Sequence, residues 1–272
     1  ARGWQVRALL AFVLAVLVKE SAMLLPLTLL AWEALTGGKL RRIVQRRWPW
    51  WLLVAFAVAA LLAHPGYRSL VGNSLQVREP VSAVLTQLHA VAWLLGQWAW
   101  PVALNIDPDL PQISAPIEVW PESLGLLLAG VLAWRCRRQR PWISLGIAWA
   151  ALHLLLFNAV FPRDDIANER LLYWGDWALI FAVATELQLR LPPRALRVAG
   201  VALAGVLALA TAQRNQVYRS ELALWEDTAL KSPHKARVLN NLGYAYAESG
   251  RPVDAERAYR AALRANPDYV KA

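Results

Sequence analysis

Cysteine is almost missing from this 272-residue chain: Cys136 is the only one. That excludes a disulfide framework and any cysteine-built metal site within it. Set among Arg135, Arg137, Arg138 and Arg140, Cys136 reads as a bystander thiol. Charge is scarce too. Charged residues make up 18% of the chain and hydrophobic types 57%. Over the first three quarters there is not enough polar side chain to clothe a soluble globule of this length, so the reading is a membrane protein with a polar C-terminal piece. His64, His89, His153 and His234 are dispersed and show no metal spacing. No small-residue cleavage pattern follows the first apolar run, so no signal peptide is read there. A start at Ala1-Arg2-Gly3-Trp4 instead of Met predicts that the sequence begins partway into a larger protein.

The formal net charge is +10, but the basic residues sit in short clusters between apolar runs. The positive-inside rule puts them there, and nucleic-acid binding is excluded on that ground. Trp4 to Val18 and Ser21 to Leu35 are apolar halves around Lys19-Glu20, each short of the roughly 20 residues that span a bilayer upright. Either one helix kinks near Pro26, or two short helices form a hairpin with Lys19-Glu20 at its tip. Lys39, Arg41, Arg42, Arg46 and Arg47 then mark a cytoplasmic loop. Trp48 to Ala63 crosses outward, and the Gly-, Ser- and Asn-rich stretch from His64 to Pro80 reads as an external loop.

Ser82, Thr86, His89, Trp93 and Gln97 recur at helical spacing and give residues 81–100 one polar stripe. This predicts an amphipathic helix in the external interface. The proline-rich loop from Pro101 to Glu122 has Asp107, Asp109, Glu118 and Glu122 but no Lys or Arg, which places it outside. Ser123 to Trp134 returns to the cluster Arg135–Arg140, Trp142 to Phe161 goes out, Leu171 to Leu189 comes back to Arg190, Arg194 and Arg197, and Leu196 to Ala212 goes out last. The basic clusters then share one side.

From Gln213 the chain becomes polar. Ala236 to Tyr269 matches the tetratricopeptide pattern, with Leu239, Leu242, Gly243, Tyr246, Ala255, Tyr259, Ala262 and Pro267 at its signature positions. The small residues let two antiparallel helices approach, and Pro267 ends the second. Trp225 and Pro233 one period earlier make residues 216–233 a preceding half repeat. The expected organisation is all-α: a polytopic membrane domain over 1–212, with six or seven transmembrane segments and the interfacial helix, then a repeat region over 213–272. The next repeat would begin at Val270, so truncation is expected there.

Phe161 to Trp177 gathers Arg163, Asp164, Asp165, Glu169, Arg170, Tyr173 and Asp176 between two apolar runs. Such residues are costly near lipid unless they serve one another or a ligand. Taken together, Lys19-Glu20-Ser21 after an apolar run, LNIDPDLP over Leu104 to Pro111, ANERLLYW over Ala167 to Trp174, and repeats directly after the last span resemble the transmembrane and tetratricopeptide-repeat O-mannosyltransferase family (TMTC) and its bacterial relatives. The resemblance covers essentially the whole chain in order. It implies a GT-C-type glycosyltransferase that moves a sugar from a polyprenyl-phosphate carrier to a protein or glycan acceptor on the extracytoplasmic side. The implied location is an integral membrane protein of a bacterial inner membrane, with the repeats extracytoplasmic and binding an acceptor or partner. The family's catalytic acid is expected upstream of Ala1, so no catalytic residue is named.

Arg170, Lys19 and Arg163 are the candidates for holding the donor phosphate, since a guanidinium can bind it with two hydrogen bonds. Glu169, Glu20, Tyr173 and Asp165 are candidate supports, with Arg170 held by Glu169 or Asp165. Each has a plainer reading: an ion pair fixing a helix start, a solvated hairpin tip at Lys19-Glu20, or a capping group at Arg163, Asp164 and Asp165. Adjacent aspartates without a third ligand argue against a divalent metal. Asp107 and Asp109 are candidates for an acceptor groove, with a simple turn the favoured reading. Besides the lipid-linked sugar no cofactor is expected. Two rivals stay open: a non-catalytic membrane anchor displaying the repeats as an interaction scaffold, and a lipid-linked glycan polymerase or ligase.

Overall fold

A computed structural model describes residues 2–269. Among these the regular structure is helical, and the chain divides into two compact units. The first comprises Ala1–Ala99, Gln112–Ile166 and Arg170–Glu186; the second comprises Trp100–Pro111, Ala167–Glu169 and Leu187–Ala272.

In the first unit, α1 (Arg2–Val18) ends at Lys19, which is extended, and a 3-10 turn (Glu20–Leu24) leads into α2 (Leu25–Leu35). The break therefore falls at Lys19, not at Pro26. Pro26 occupies the first turn of α2, where its missing N–H costs nothing. The helices α3 (Leu40–Arg46) and α4 (Trp48–Ala63) meet at a 67° bend. Phe12 of α1 is buried against Trp50 of α4, with ring centroids 5.0 Å apart. Glu33, within an apolar run, is answered by Arg46 at 2.6 Å and by Arg47.

Residues expected to form a loop make a helix, α5 (Pro65–Val77). Pro65 pre-sets its first turn, and the His64 side chain accepts from Gly66 N at 3.2 Å. Next comes α6 (Pro80–Ala99). Its polar stripe, expected to face water, is largely turned inward. Ser82 donates to Ile113 O at 2.7 Å, Thr86 Oγ1 accepts from Ile113 N at 2.9 Å, and His89 pairs with Glu122 at 2.9 Å. Leu85, Ile113 and Val119 form a small core beside these bonds.

Following the 3-10 turn Pro116–Val119 come α7 (Trp120–Cys136) and α8 (Pro141–Ala150), which runs through a π-helical turn (Ala151–Leu156) into α9 (Phe157–Val160). The widened turn leaves the Leu154 carbonyl for side chains, and it accepts from Gln87 at 2.8 Å and Asn158 at 3.1 Å. The 3-10 turn Glu169–Leu171 and α10 (Leu172–Gly175) break at Asp176 before α11 (Trp177–Arg190). Trp149 packs against His153, Trp174 and Trp177. Gly175 stands so close to Leu154 that an added Cβ would lie 2.3 Å from its Cδ2.

The second unit is built on α12 (Pro193–Val217), α13 (Glu221–Lys231), α14 (Ala236–Glu248) and α15 (Pro252–Ala265). The helices α14 and α15 are the tetratricopeptide hairpin. Val238, Leu242 and Ala245 of α14 are buried, as are Ala255, Ala258 and Ala262 of α15. Gly243 lies under Tyr259, where a Cβ would meet the ring at 2.8 Å. The turn closes on Gly250 at φ +72°, the left-handed conformation that glycine adopts without steric cost. Ser220 caps α13 by accepting from Ala223 N at 3.1 Å. The Tyr246 hydroxyl donates to Glu226 at 3.0 Å and ties α14 to α13.

Among the described residues three helical stretches are long and apolar enough to cross a membrane: Pro116–Cys136, Pro141–Val160 and Pro193–Val217, with the bent pair α3–α4 as a fourth if it is one span. α12 has no buried residue.

Candidate functional site

The segment Leu104 to Pro111, irregular because prolines deny it a ladder or a helix, is strapped across the start of the repeat within the second unit. Asn105 folds its own turn, its Oδ1 accepting from Asp107 N at 3.1 Å, while its Nδ2 donates to Ser232 Oγ at 2.9 Å. Ser232 donates on to Asp107 O at 2.9 Å. Lys231 reaches Leu104 O at 2.9 Å and Lys235 reaches Pro108 O at 2.7 Å. The Asp107 side chain is 4% exposed, and its carboxylate is held by Lys235 at 2.7 Å and by the Arg237 guanidinium, whose Nε donates at 2.8 Å. Bidentate Arg–carboxylate pairing of this kind fixes geometry as well as adding energy. Asp107 is therefore spent inside the strap and does not open onto a groove, whereas Asp109 is exposed. Burying a carboxylate demands the partners that Asp107 has taken, and of the two readings open for it from the sequence, groove or turn, its place in the Asn105 turn accords with the second.

A second knot in the same unit joins α12 to the repeat. Arg214, in the last turn of α12, donates to Glu169 and to Asp227 of α13, both at 2.9 Å. Tyr218 donates to Glu169 at 2.7 Å, and Lys231 joins Asp227 at 2.7 Å. Burial first, and then the hydrogen bond to the Glu169 carboxylate, pushes the Tyr218 phenol up to about 12.

In the first unit, Asp165 gathers two of the candidate arginines, Arg163 at 2.9 Å and Arg170 at 3.8 Å. Arg78, at the end of α5, lies in the field of Asp164 and Asp165. Its burial pulls the guanidinium below its usual pKa, and the two carboxylates act in the opposite direction. Ser74, also on α5, donates to Pro162 O at 2.7 Å and pins the loop. Of the two holders expected for Arg170, Asp165 is beside it and Glu169 is committed to Arg214. The physical reason is local. Glu169–Leu171 is a 3-10 turn, so successive side chains diverge by about 120°.

Tyr173 is 88% exposed. Lys19 is exposed, and neither Lys19 nor Glu20 makes a side-chain hydrogen bond or ion pair among the described residues, so the structure does not join them to the arginine cluster. Among the described residues, no three His, Cys, Asp and Glu side chains gather into a metal-binding group.

Sequence reasoning missed Arg78, Arg214 and Ser232. For the strap a signal existed: a loop with acids but no Lys or Arg, and a repeat opening on Lys231, Lys235 and Arg237. Arg78 carried none, because its stretch read as loop.

Residues 236–269 match the tetratricopeptide repeat family. No curated protein and no solved structure matches the chain. Tetratricopeptide repeats generally mediate protein–protein interaction, and the matched residues are those of α14, α15 and their flanks.

Proposed function

We propose that the chain is an integral membrane protein that holds a tetratricopeptide module at the extracytoplasmic membrane surface and presents it to a protein partner. The observation that carries this reading is α12: its 25 residues rise about 37 Å at 1.5 Å each, of which the uncharged stretch between Arg197 and Arg214 supplies about 24 Å, and the long arginine side chains at both ends reach outward to the edges of a hydrocarbon core of about 30 Å. Val198, Val201, Leu203, Val206, Leu207 and Leu209 are all exposed along it. Apolar side chains around an unburied helix call for lipid. The Arg214 knot makes α12 and α13 one mechanical piece, so anchor and repeat share an orientation.

The test is alkaline carbonate extraction and vesicle flotation of the whole chain, with a photo-crosslinking residue at Tyr244, which is exposed on α14. Retention in the membrane and a discrete protein adduct at Tyr244 are expected. Release at alkaline pH, or crosslinking with no discrete adduct, refutes the reading.

A second reading rests on Asp165. Arg78, Arg163 and Arg170 are set against Asp164 and Asp165, and Arg163 and Arg170 are 52% and 67% exposed at the side chain. Guanidiniums oriented by one carboxylate suit a phosphate. This supports the glycosyltransferase implied by the family resemblance, with a polyprenyl-phosphate sugar as donor and a protein or glycan as acceptor. Arg170→Ala should weaken binding of a polyprenyl-phosphate sugar by tenfold or more, on the order of 1.5–3 kcal/mol for a charge-assisted hydrogen bond. Unchanged donor binding would sink the phosphate role. A glycan acceptor would indicate a polymerase or ligase.

A further inference from the structure

α12 ends its apolar surface at Arg194 and Arg197, three residues apart and so neighbours on one helix face. Val198, Val201 and Ala202 continue the same stripe, and with the two arginines they form one shallow, open groove along the face of this helix. No Asp or Glu occurs from residue 187 to residue 220, so nothing in that stretch neutralises the pair. Arg194 makes no hydrogen bond or ion pair among the described residues, and Arg197 donates only its Nε, to Pro193 O at 3.4 Å. The surface these residues share is almost wholly apolar, to which the two arginines lend their aliphatic stems, and their two positive charges at one end make the face amphipathic.

We infer that this groove binds an anionic phospholipid, its phosphate between Arg194 and Arg197 and its first acyl carbons along Val198, Val201 and Ala202. The inference rests on the membrane reading of α12 and adds a lipid class to it. Charge complementarity selects the occupant. Zwitterionic headgroups bring a compensating cation to the arginines, whereas an anionic headgroup brings none. Guanidiniums also take phosphate oxygens bidentately, which an ammonium cannot do. A free phosphate would satisfy the arginines but leave the apolar part of the groove unfilled.

The test reconstitutes the whole chain in phosphatidylcholine vesicles with and without about 20% phosphatidylglycerol, a mildly anionic surface. Lipid retained after gentle extraction is counted by native mass spectrometry. Wild type should retain phosphatidylglycerol in preference to phosphatidylcholine. Replacing Arg194→Gln and Arg197→Gln should remove the tightest-held molecule, with occupancy falling about fivefold per arginine, the equivalent of about 1 kcal/mol for each charge near an anionic surface. Arg41→Gln with Arg42→Gln removes the same charge elsewhere and should leave that molecule in place. Equal loss from both pairs of changes, no loss from the first pair, or displacement by excess inorganic phosphate overturns the inference. Flotation of every variant is read alongside. A chain that does not float defeats the membrane reading, and one that floats without lipid preference defeats only the groove.

Discussion

Asp107→Ala removes the one carboxylate that anchors the strap, and the cost can be worked from its surroundings. Breaking a buried ion pair typically costs about 3–5 kcal/mol because the partner is left charged and dry. Here the partners are better placed to recover: the Lys235 and Arg237 side chains are 15% and 29% exposed, against 4% for Asp107. Water can reach both cations once the carboxylate is gone. The backbone acceptors Leu104 O, Asp107 O and Pro108 O also stay in place. The expected loss is therefore below that range, about 2–3 kcal/mol.

It should be local to the strap and the helices it touches. Hydrogen exchange of the whole protein resolves this, because local opening free energies are read amide by amide. Amides of α13 and the first turns of α14 should exchange roughly 30- to 150-fold faster, as 1.36 kcal/mol per tenfold requires. Those at the far end of α15 should change little. Arg237→Ala should cost less, and the double variant should cost less than the sum of the singles. Exchange in α13 and α14 unchanged to within twofold would refute the view that Asp107 holds the strap, as would strict additivity.

Gly243→Ala should destabilise the hairpin by about 1–3 kcal/mol through overpacking against Tyr259, read as a lower urea midpoint and relieved by Tyr259→Leu. Gly175→Ala should disturb the first unit in the same way, since Leu154 is fully buried and cannot swing clear. Near-ultraviolet circular dichroism of the Trp149 cluster reports it, and Leu154→Ala in the same chain should restore the signal. Tyr218 gives a pH dependence. Its phenol is pushed up to about 12, by burial and then by Glu169, above the roughly 10 of an unfolded tyrosine. The proton is thus held more tightly in the folded chain. The contribution is complete below pH ~10 and is lost as pH climbs through about 12. Tyr218→Phe should flatten that alkaline decline in melting temperature, and a decline of equal steepness in the variant would count against the Glu169 contact.

The repeat was the most legible part of the chain. Gly243, Ala255 and Ala262 announce a close helix approach because nothing larger fits, and spacing alone locates them. The strap was not legible, since Asp107 and Arg237 stand 130 positions apart, and composition suggests complementarity without pairing particular residues. Periodicity revealed the stripe on α6 but not its covering: Ser82 and Thr86 look the same facing water as facing Ile113. His64–Pro80 read as loop on Gly, Ser and Asn content, yet Pro65 behind a capping His64 nucleates α5. Glu169 and Asp165 are equally open to Arg170 in the sequence, which does not reveal that Glu169 meets Arg214, 45 positions away.

The long reach of the strap also has a consequence in time. Asp107 leaves the ribosome 130 residues before Arg237, a wait of roughly 6–26 s at about 5–20 residues per second. Throughout that interval its carboxylate has neither of its eventual partners, and LNIDPDLP remains an open segment of the chain. The strap closes only when α13 and the first turn of α14 have been made. Its closure therefore registers that the helices between residues 111 and 231 have already been delivered, and a chain stalled or cut before Arg237 never acquires it.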